Sequence, residues 1–165
     1  MNRLTGLAPV IDASTRLLIL GSFPGAASLK AQQYYGHPQN QFWKILGALW
    51  QQPLMPMPYA ERLSVMLAHG VGLWDVYAAC EREGSLDTAI RAGELNDLAA
   101  LKKQCRQLQG IAHNGGESYK HAKHTEALGV PVYKLPSTSP ANASWSFERK
   151  TEAWREVFQK ARLAN

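Results

Sequence analysis

The residues of this sequence that could do chemistry stand directly after four apolar runs. The first run, residues 17–20, leads into the loop Gly-Ser-Phe-Pro-Gly at positions 21–25. Later runs lead into Asp75, into Asn-Gly-Gly at 114–116, and into Ser-Thr-Ser-Pro-Ala-Asn at 137–142. Two glycines in the first loop permit close approaches that a Cβ would prevent. Each loop is therefore a candidate part of a binding site.

Several common chemistries do not fit these loops. The loop at 21–25 has neither the glycine pattern of a dinucleotide site nor the Lys-Ser/Thr pair that ends a Walker loop. The serine-rich strand ends contain no Gly-x-Ser-x-Gly elbow, which a serine hydrolase needs. His121 and His124 have the spacing of a solvated helix face, and a metal site would need a third ligand. The sequence predicts neither a nucleotide cofactor nor a metal.

The same residues suit a site that extracts and holds one nucleobase. Phe23, Tyr34 and Tyr35 could stack on a base, and the amides of Asn40 and Asn114 could read its edge. Small residues in the loops would let the backbone approach a DNA strand. For each residue taken alone, the competing interpretation is structural: the aromatic rings belong to the core and the amides cap helices.

Length, charge and cysteine content set broader bounds. A chain of 165 residues, 45% hydrophobic and 19% charged, fits one globular domain. Its formal charge of +5 favours a polyanionic partner without identifying one. Cys80 and Cys105 are predicted to be reduced core thiols. Without a recognisable leader or a run of membrane-spanning length, the protein is expected to be soluble, cytoplasmic and monomeric, with no membrane partner.

Apolar runs alternate with segments of helical periodicity along the chain. Strands are predicted at 17–20, 71–76, 111–113 and 130–135, and helices at 42–50, 59–69, 94–108, 117–128 and 147–163. The polar segment 80–93 is predicted to be a surface excursion. This alternation predicts an α/β three-layer sandwich, in which helices flank a mostly parallel central sheet of about four strands. Parallel strands end at one edge, where we expect one composite cleft.

Three segments together resemble the uracil-DNA glycosylase superfamily. The loop at 21–25, followed by His-Pro-Gln-Asn-Gln-Phe-Trp at 37–43, is similar to Gly-Ile-Asn-Pro-Gly and the downstream Asn-x-Phe-Trp of its mismatch-specific branch. Leu-Pro-Ser-Thr-Ser-Pro at 135–140 lies where the superfamily carries its second motif. With Gly-Leu-Trp-Asp-Val at 72–76, the set is most similar to the hypoxanthine-DNA glycosylase (DNA-deoxyinosine glycosylase) branch. The resemblance covers about residues 17–142.

The resemblance implies a uracil-DNA glycosylase-like fold in a single domain over residues 1–165. It also implies a monofunctional DNA repair glycosylase that hydrolyses the N-glycosidic bond of a deaminated base, hypoxanthine first, and then uracil or xanthine. The implied partner is DNA that contains such bases, and no cofactor or metal is needed. Two alternatives stay open: a non-catalytic nucleic-acid-binding module on this fold, and a hydrolase acting on free nucleosides.

The sequence departs from better-known branches at two positions. Phe23 stands where those branches have a water-activating Asp or Asn, and Leu135 stands where a His would stabilise a departing uracil anion. In the resembling branch an asparagine downstream of the first motif matters for catalysis, and Asn40 is the matching position. Asn40 is therefore the predicted catalytic residue, through its carbonyl, and it is also predicted to cap the following helix. Asp75 is the second candidate for water activation.

The remaining site residues take their predicted roles from their place in these loops. The predicted base pocket contains Ser22, Phe23, Tyr35, Asp75 and Asn114, with Phe23 stacking on the base and Asp75 and Asn114 reading its edge. The predicted DNA contacts, through backbone amides and hydroxyls, are Gly25, Ser137, Thr138, Ser139 and Asn142.

Overall fold

A computed structural model describes residues 3–162. Its strands are Arg3–Thr5 (β1), Leu17–Gly21 (β2), Val71–Asp75 (β3), Tyr77–Glu81 (β4), Arg91–Leu95 (β5), Gly110–Asn114 (β6) and Val132–Leu135 (β7). Its α-helices are Ala26–Ala31 (α1), Phe42–Trp50 (α2), Tyr59–Ala68 (α3), Leu98–Gln104 (α4), Gly116–Tyr119 (α5), Ala122–Glu126 (α6) and Phe147–Lys160 (α7). No helix within these residues is long and apolar enough to cross a membrane.

The central sheet has four parallel strands in the order β3-β2-β6-β7, which confirms the predicted fold class. Every residue of β2 is buried, because β2 lies inside the sheet with elements packed on both faces. Alternate side chains of β2 enter two separate apolar clusters: Leu17 and Ile19 join the first, and Leu18 and Leu20 join the second.

Helices supply the other side of each cluster. The first cluster receives side chains of α2, α3 and α7, including Phe42, Met66 and Trp154. The second receives Leu98 and Leu101 of α4, and it also contains the buried free thiols of Cys80 and Cys105. Helices therefore flank both faces of the sheet, as the alternation of the sequence predicted.

A second sheet was not predicted. Strand β4 pairs antiparallel with β1 and with β5, in the order β1-β4-β5. The segment 80–93 lies largely at the surface, as predicted, but it includes parts of β4 and β5, and the predicted start of a helix at Glu94 is wrong. All residues of β5 are exposed, so its sequence lacks the alternation of apolar and polar residues that predicts a half-buried strand. Helix α4 begins only at Leu98, where the Asp97 side chain accepts a hydrogen bond from the Ala100 N–H.

Other boundaries differ by smaller amounts. The single helix predicted over 117–128 is two short helices, α5 and α6, whose Ser118 and Thr125 hydroxyls both bond to the buried His113 ring, each at 2.8 Å. Helix α1 was not predicted, and β7 begins at Val132 instead of residue 130. The helix predicted over 59–69 is confirmed as α3. The predicted end of the last helix, residue 163, lies outside the described residues.

The parallel arrangement brings the predicted loops together. Gly21, Asp75, Asn114 and Leu135 are the last residues of β2, β3, β6 and β7, respectively. Because the four strands run in one direction, these residues and the loops after them lie along one edge of the sheet.

Candidate active site

A cavity of about 950 Å³ opens at the carboxyl edge of the central sheet. Its lining includes every residue that the sequence assigned to the site: Ser22, Phe23, Gly25, Tyr35, Asn40, Asp75, Asn114, Ser137, Thr138, Ser139 and Asn142. The strand ends and the loop before α2 therefore converge on one space, as predicted. A cavity of this size can accept a nucleotide unit.

Asp75 contributes a buried carboxyl group at the end of β3. Only 5% of the residue is exposed, and Oδ2 is buried without a hydrogen-bond partner. A Cβ on the neighbouring Gly21 would overlap Asp75 Oδ1, so glycine is needed there for the carboxyl group to lie against the strand. A buried carboxylate oxygen without a partner is costly, and it is ready to accept a hydrogen bond from a ligand.

The surroundings of Asp75 raise its affinity for a proton. Its pKa is raised to about 7, mainly by burial and also by the nearby Asp87 carboxylate, while the Arg82 guanidinium acts in the opposite direction. Asp87 also lines the cavity, and its Oδ1 accepts a hydrogen bond of 2.6 Å from the Ser22 hydroxyl. Sequence reasoning missed Asp87, because an acid in a polar segment carries no periodicity that distinguishes it from a solvated residue.

Phe23 lines the cavity and is also part of the packed interior. The residue is only 6% exposed and packs within the second apolar cluster, with the Arg82 guanidinium 5.3 Å from the ring centroid. Arg82 occupies one face of the ring, and stacking of a base on Phe23 stays a prediction. Arg82 is 4% exposed and donates to the Pro24 carbonyl at 2.7 Å, which holds the loop at 21–25 in place.

Asn114 is bonded to the protein through both ends of its amide. Its Nδ2 donates to the Tyr35 hydroxyl at 3.2 Å and to Thr138 Oγ1 at 3.1 Å. Its Oδ1 accepts from the Thr138 N–H at 3.1 Å. These bonds join β6 to the loop at 137–142 and leave one lone pair of Oδ1, so the reading of a base edge by Asn114 stays a prediction.

Tyr35 forms part of the same wall. Its ring stacks on Phe42 with the centroids 4.1 Å apart, and its backbone has a φ of 55°, a left-handed conformation that is uncommon outside glycine. Burial, followed by the nearby Asp75 carboxylate, raises the pKa of the hydroxyl far above its usual range, which keeps Tyr35 neutral. Tyr35 therefore lines the cavity with its hydroxyl in the neutral form.

Asn40 is not the N-cap of α2 that the sequence predicted. The N-cap is Gln41, and Asn40 lies one residue before it. Its Oδ1 nevertheless accepts a hydrogen bond of 3.0 Å from the Phe42 N–H, which fixes the side chain at the start of the helix. A carbonyl oxygen has two lone pairs, so Oδ1 can accept a second bond from water or substrate.

The loop at 137–142 is held from below by buried side chains. The Trp154 indole donates to the Pro136 carbonyl at 3.1 Å, and Asn142 Nδ2 donates to the Ser137 carbonyl at 3.1 Å. Lys150 is 2% exposed, and its Nζ donates to Gln41 Oε1 at 2.9 Å and to the Ser139 carbonyl at 3.4 Å. The loop is therefore fixed before any ligand binds.

The two histidines with metal-like spacing lie outside this cavity. His121 and His124 line a separate space of about 190 Å³, and His121 Nε2 is 2.8 Å from the Tyr77 hydroxyl. Within residues 3–162, no three His, Cys, Asp or Glu side chains are grouped so that they could hold a metal ion.

Comparisons with known proteins agree on one family. The model of the uracil DNA glycosylase superfamily matches residues 8–159. A protein of Methanosarcina barkeri (strain Fusaro) named hypoxanthine DNA glycosylase is 39% identical over 155 residues, which cover 94% of this chain and 98% of that protein. A protein of the same name from Methanosarcina acetivorans is 38% identical over 154 residues, 93% of this chain and 97% of that one.

A solved structure gives the same result for the fold. The solution NMR structure of a Methanosarcina acetivorans protein, described as a candidate uracil DNA glycosylase, matches with a TM-score of 0.87 at 37% sequence identity. The match covers 98% of this chain and 99% of that one.

We expect Asp75→Asn to change how stability depends on pH. In the unfolded chain Asp75 has its ordinary pKa of 3.8, and in the fold about 7, so between these values the folded state binds more protons. The free energy of unfolding contributed by this group therefore falls as pH rises through this window. The stability of Asp75→Asn relative to wild type should increase from pH 4 to pH 8, by a few kcal/mol. Urea unfolding at several pH values measures this difference, and a constant difference would contradict the burial argument.

Proposed function

The chain belongs to the uracil DNA glycosylase superfamily, and we propose that it is a DNA glycosylase that hydrolyses the N-glycosidic bond of hypoxanthine in DNA. Its relatives named hypoxanthine DNA glycosylase support this choice of base. The observation that carries the proposal is the unpartnered carboxylate oxygen of Asp75 in the lining of a cavity large enough for a nucleotide. Uracil and xanthine are the next candidates.

The Asp75 carboxylate can accept a hydrogen bond from the ring N–H that deamination of adenine creates. Deamination of adenine replaces an unprotonated N1 beside an amino group with an N1–H beside a carbonyl. With a pKa of about 7, Asp75 is substantially ionised at neutral pH and more so above it. In that form it accepts a hydrogen bond from the N1–H of hypoxanthine, whereas its oxygen would face the lone pair on adenine N1. Uracil and xanthine carry an equivalent N–H. Guanine also has an N1–H, so Asp75 separates hypoxanthine from adenine but not from guanine.

Asn40 is the group we assign to the chemical step. The bond from the Phe42 N–H holds its carbonyl at the start of α2, and Asn40 lines the same cavity as Asp75. The free lone pair of Oδ1 can orient the attacking water or stabilise positive charge on the sugar as the base leaves. Its backbone N–H donates to the His37 carbonyl at 3.0 Å, so both ends of the residue are fixed.

The polar loops at the mouth supply the DNA contacts in this proposal. Ser137, Ser139 and Asn142 are partly exposed, and Gly25 brings backbone close to the opening from the other side. Hydroxyls and backbone N–H groups of this kind bind phosphates without reading sequence. The formal charge of +5 favours the same partner.

Assays on two substrates test the proposed function. The wild-type protein should release hypoxanthine from an oligonucleotide that contains deoxyinosine and should leave free inosine intact, because the loops contact the strand on either side of the base. Chromatography of the released base measures this. Release from the nucleoside would indicate a small-molecule hydrolase, and release from neither, with binding retained, would indicate a non-catalytic DNA-binding module.

Asn40→Ala should remove most of the excision activity while DNA binding stays nearly intact. A positioned polar group of this kind contributes roughly 10²–10³ in rate, whereas the lost bond to the Phe42 N–H should cost about 1 kcal/mol of stability. Single-turnover release at a temperature where thermal unfolding shows the variant folded measures the effect. Near wild-type release by Asn40→Ala together with an inactive Asp75→Ala would assign water activation to the carboxylate instead.

The Asp75 contact can be tested by removing the N–H from the base. On 1-methylhypoxanthine in DNA, the wild type should act about 10- to 100-fold more slowly than on hypoxanthine, because a bond to a charged acceptor is lost. Asp75→Ala should be slowed on hypoxanthine but should lose little more on methylation. Single-turnover rates for the four combinations give the coupling. An equal effect of methylation on both proteins would show that Asp75 does not contact N1–H.

A further inference from the structure

The Tyr35 hydroxyl lines the cavity and has a hydrogen that the protein leaves unused. The orientation of the Asn114 amide decides this. A backbone N–H can only donate, so the bond of 3.1 Å from the Thr138 N–H identifies Oδ1, and the group 3.2 Å from the Tyr35 oxygen is the donor Nδ2. The Tyr35 oxygen is therefore the acceptor in that bond. Within residues 3–162, no protein acceptor receives its own hydrogen.

This hydroxyl lies beside the Asp75 carboxyl group. A Cβ on Gly21 would overlap Asp75 Oδ1 and would lie 3.2 Å from the Tyr35 hydroxyl oxygen, so both groups border the same point at the end of β2. The Tyr35 ring stacks on Phe42 with the centroids 4.1 Å apart, which fixes the hydroxyl there. The cavity therefore contains an unused hydrogen-bond donor near an unused acceptor, Asp75 Oδ2.

We propose that the Tyr35 hydroxyl donates a hydrogen bond to O6 of hypoxanthine, and that this bond becomes stronger as the base leaves. The inference rests on the proposed function, in which Asp75 accepts from the neighbouring N1–H. An N–H next to a carbonyl is complementary to an acceptor next to a donor, and uracil and xanthine contain the same pair of groups. Adenine carries an amino group in place of O6, and this group does not accept the hydrogen.

The bond to O6 stabilises the departing base. In the hydrolysis, water adds to C1′ while the C1′–N9 bond breaks; the electron pair of that bond goes to the purine, and the proton that the water loses ends on the released base. Part of the negative charge reaches O6 through the conjugated ring, where a fixed neutral donor stabilises it. Tyr35 keeps its own proton, because burial raises the pKa of its hydroxyl far above its usual range. The apolar side chain of Leu135 cannot perform this role.

Replacing O6 by sulfur tests the contact, because a thiocarbonyl is a weak acceptor and N1–H remains. Single-turnover release of hypoxanthine and of 6-thiohypoxanthine from DNA is measured for wild type and for Tyr35→Phe, which keeps the ring that stacks on Phe42. The ratio of the two rates should be about tenfold larger for wild type than for Tyr35→Phe. The intrinsic difference between the two leaving groups cancels in this comparison. Equal ratios would overturn the proposal, since a merely structural loss slows the release of both bases equally.

Tyr59→Phe is the matched control. The Tyr59 hydroxyl accepts a bond of 3.0 Å from the Tyr34 N–H, so this variant also loses a hydroxyl that holds the segment around Tyr35. Tyr59 lies outside the lining of the cavity. The ratio of rates for Tyr59→Phe should equal that of wild type. A ratio as small as that of Tyr35→Phe would show that loosening of the segment is the cause, and would overturn the proposal.

Binding to DNA that resists hydrolysis tests the contact without catalysis. Duplexes with 2′-fluoro analogues of deoxyinosine and of 6-thiodeoxyinosine are compared, and the preference for the oxygen-containing base should be about threefold larger for wild type than for Tyr35→Phe. Differences in pairing within the duplex cancel between the two proteins. Equal preferences would overturn the contact. If wild type releases no hypoxanthine from DNA, the proposed function fails, and this comparison still decides the role of Tyr35.

Discussion

The burial of one carboxyl group, that of Asp75, is the constraint on which the rest of the site depends. Taking a carboxylate out of water is costly, and the protein does not compensate Oδ2 with a hydrogen bond of its own. The cost is tolerated because Asp75 ends a strand of a fully packed sheet, where Gly21 leaves room for it. A buried oxygen that has no donor within the protein can accept a hydrogen bond from a ligand that enters the cavity.

The loops around Asp75 are rigid because buried polar groups from distant elements hold them. Arg82 holds the first loop through the Pro24 carbonyl, and Asn114 holds the second through Thr138. Lys150 and Trp154 of α7 bind the second loop from beneath. Each of these four side chains makes at least one hydrogen bond to the backbone of a loop, so the site is organised before substrate arrives and binding need not order it.

The antiparallel sheet at the side of the molecule has a functional consequence. The connection between β4 and β5 carries Asp87 against Ser22 and Leu86 to the mouth of the cavity. One segment therefore raises the pKa of Asp75 through Asp87 and places the exposed side chain of Leu86 at the opening of the cavity.

The sequence by itself determined the central sheet and the edge at which the site forms. A continuous apolar run such as residues 17–20 predicts a strand that is buried on both faces of a sheet. Parallel strands have their carboxyl ends at the same edge of that sheet. The same reasoning predicted which loops meet, and all eleven assigned residues line one cavity.

Only the tertiary structure decided what each side chain does there. Phe23 is covered on one face by Arg82, and Asn114 is bonded to Thr138, both far away in sequence. Strand β5 is exposed along its length and is held by its partner β4. Contacts between residues distant in sequence leave no local periodicity, so the sequence could predict where these groups lie but not which of them remain free to bind a ligand.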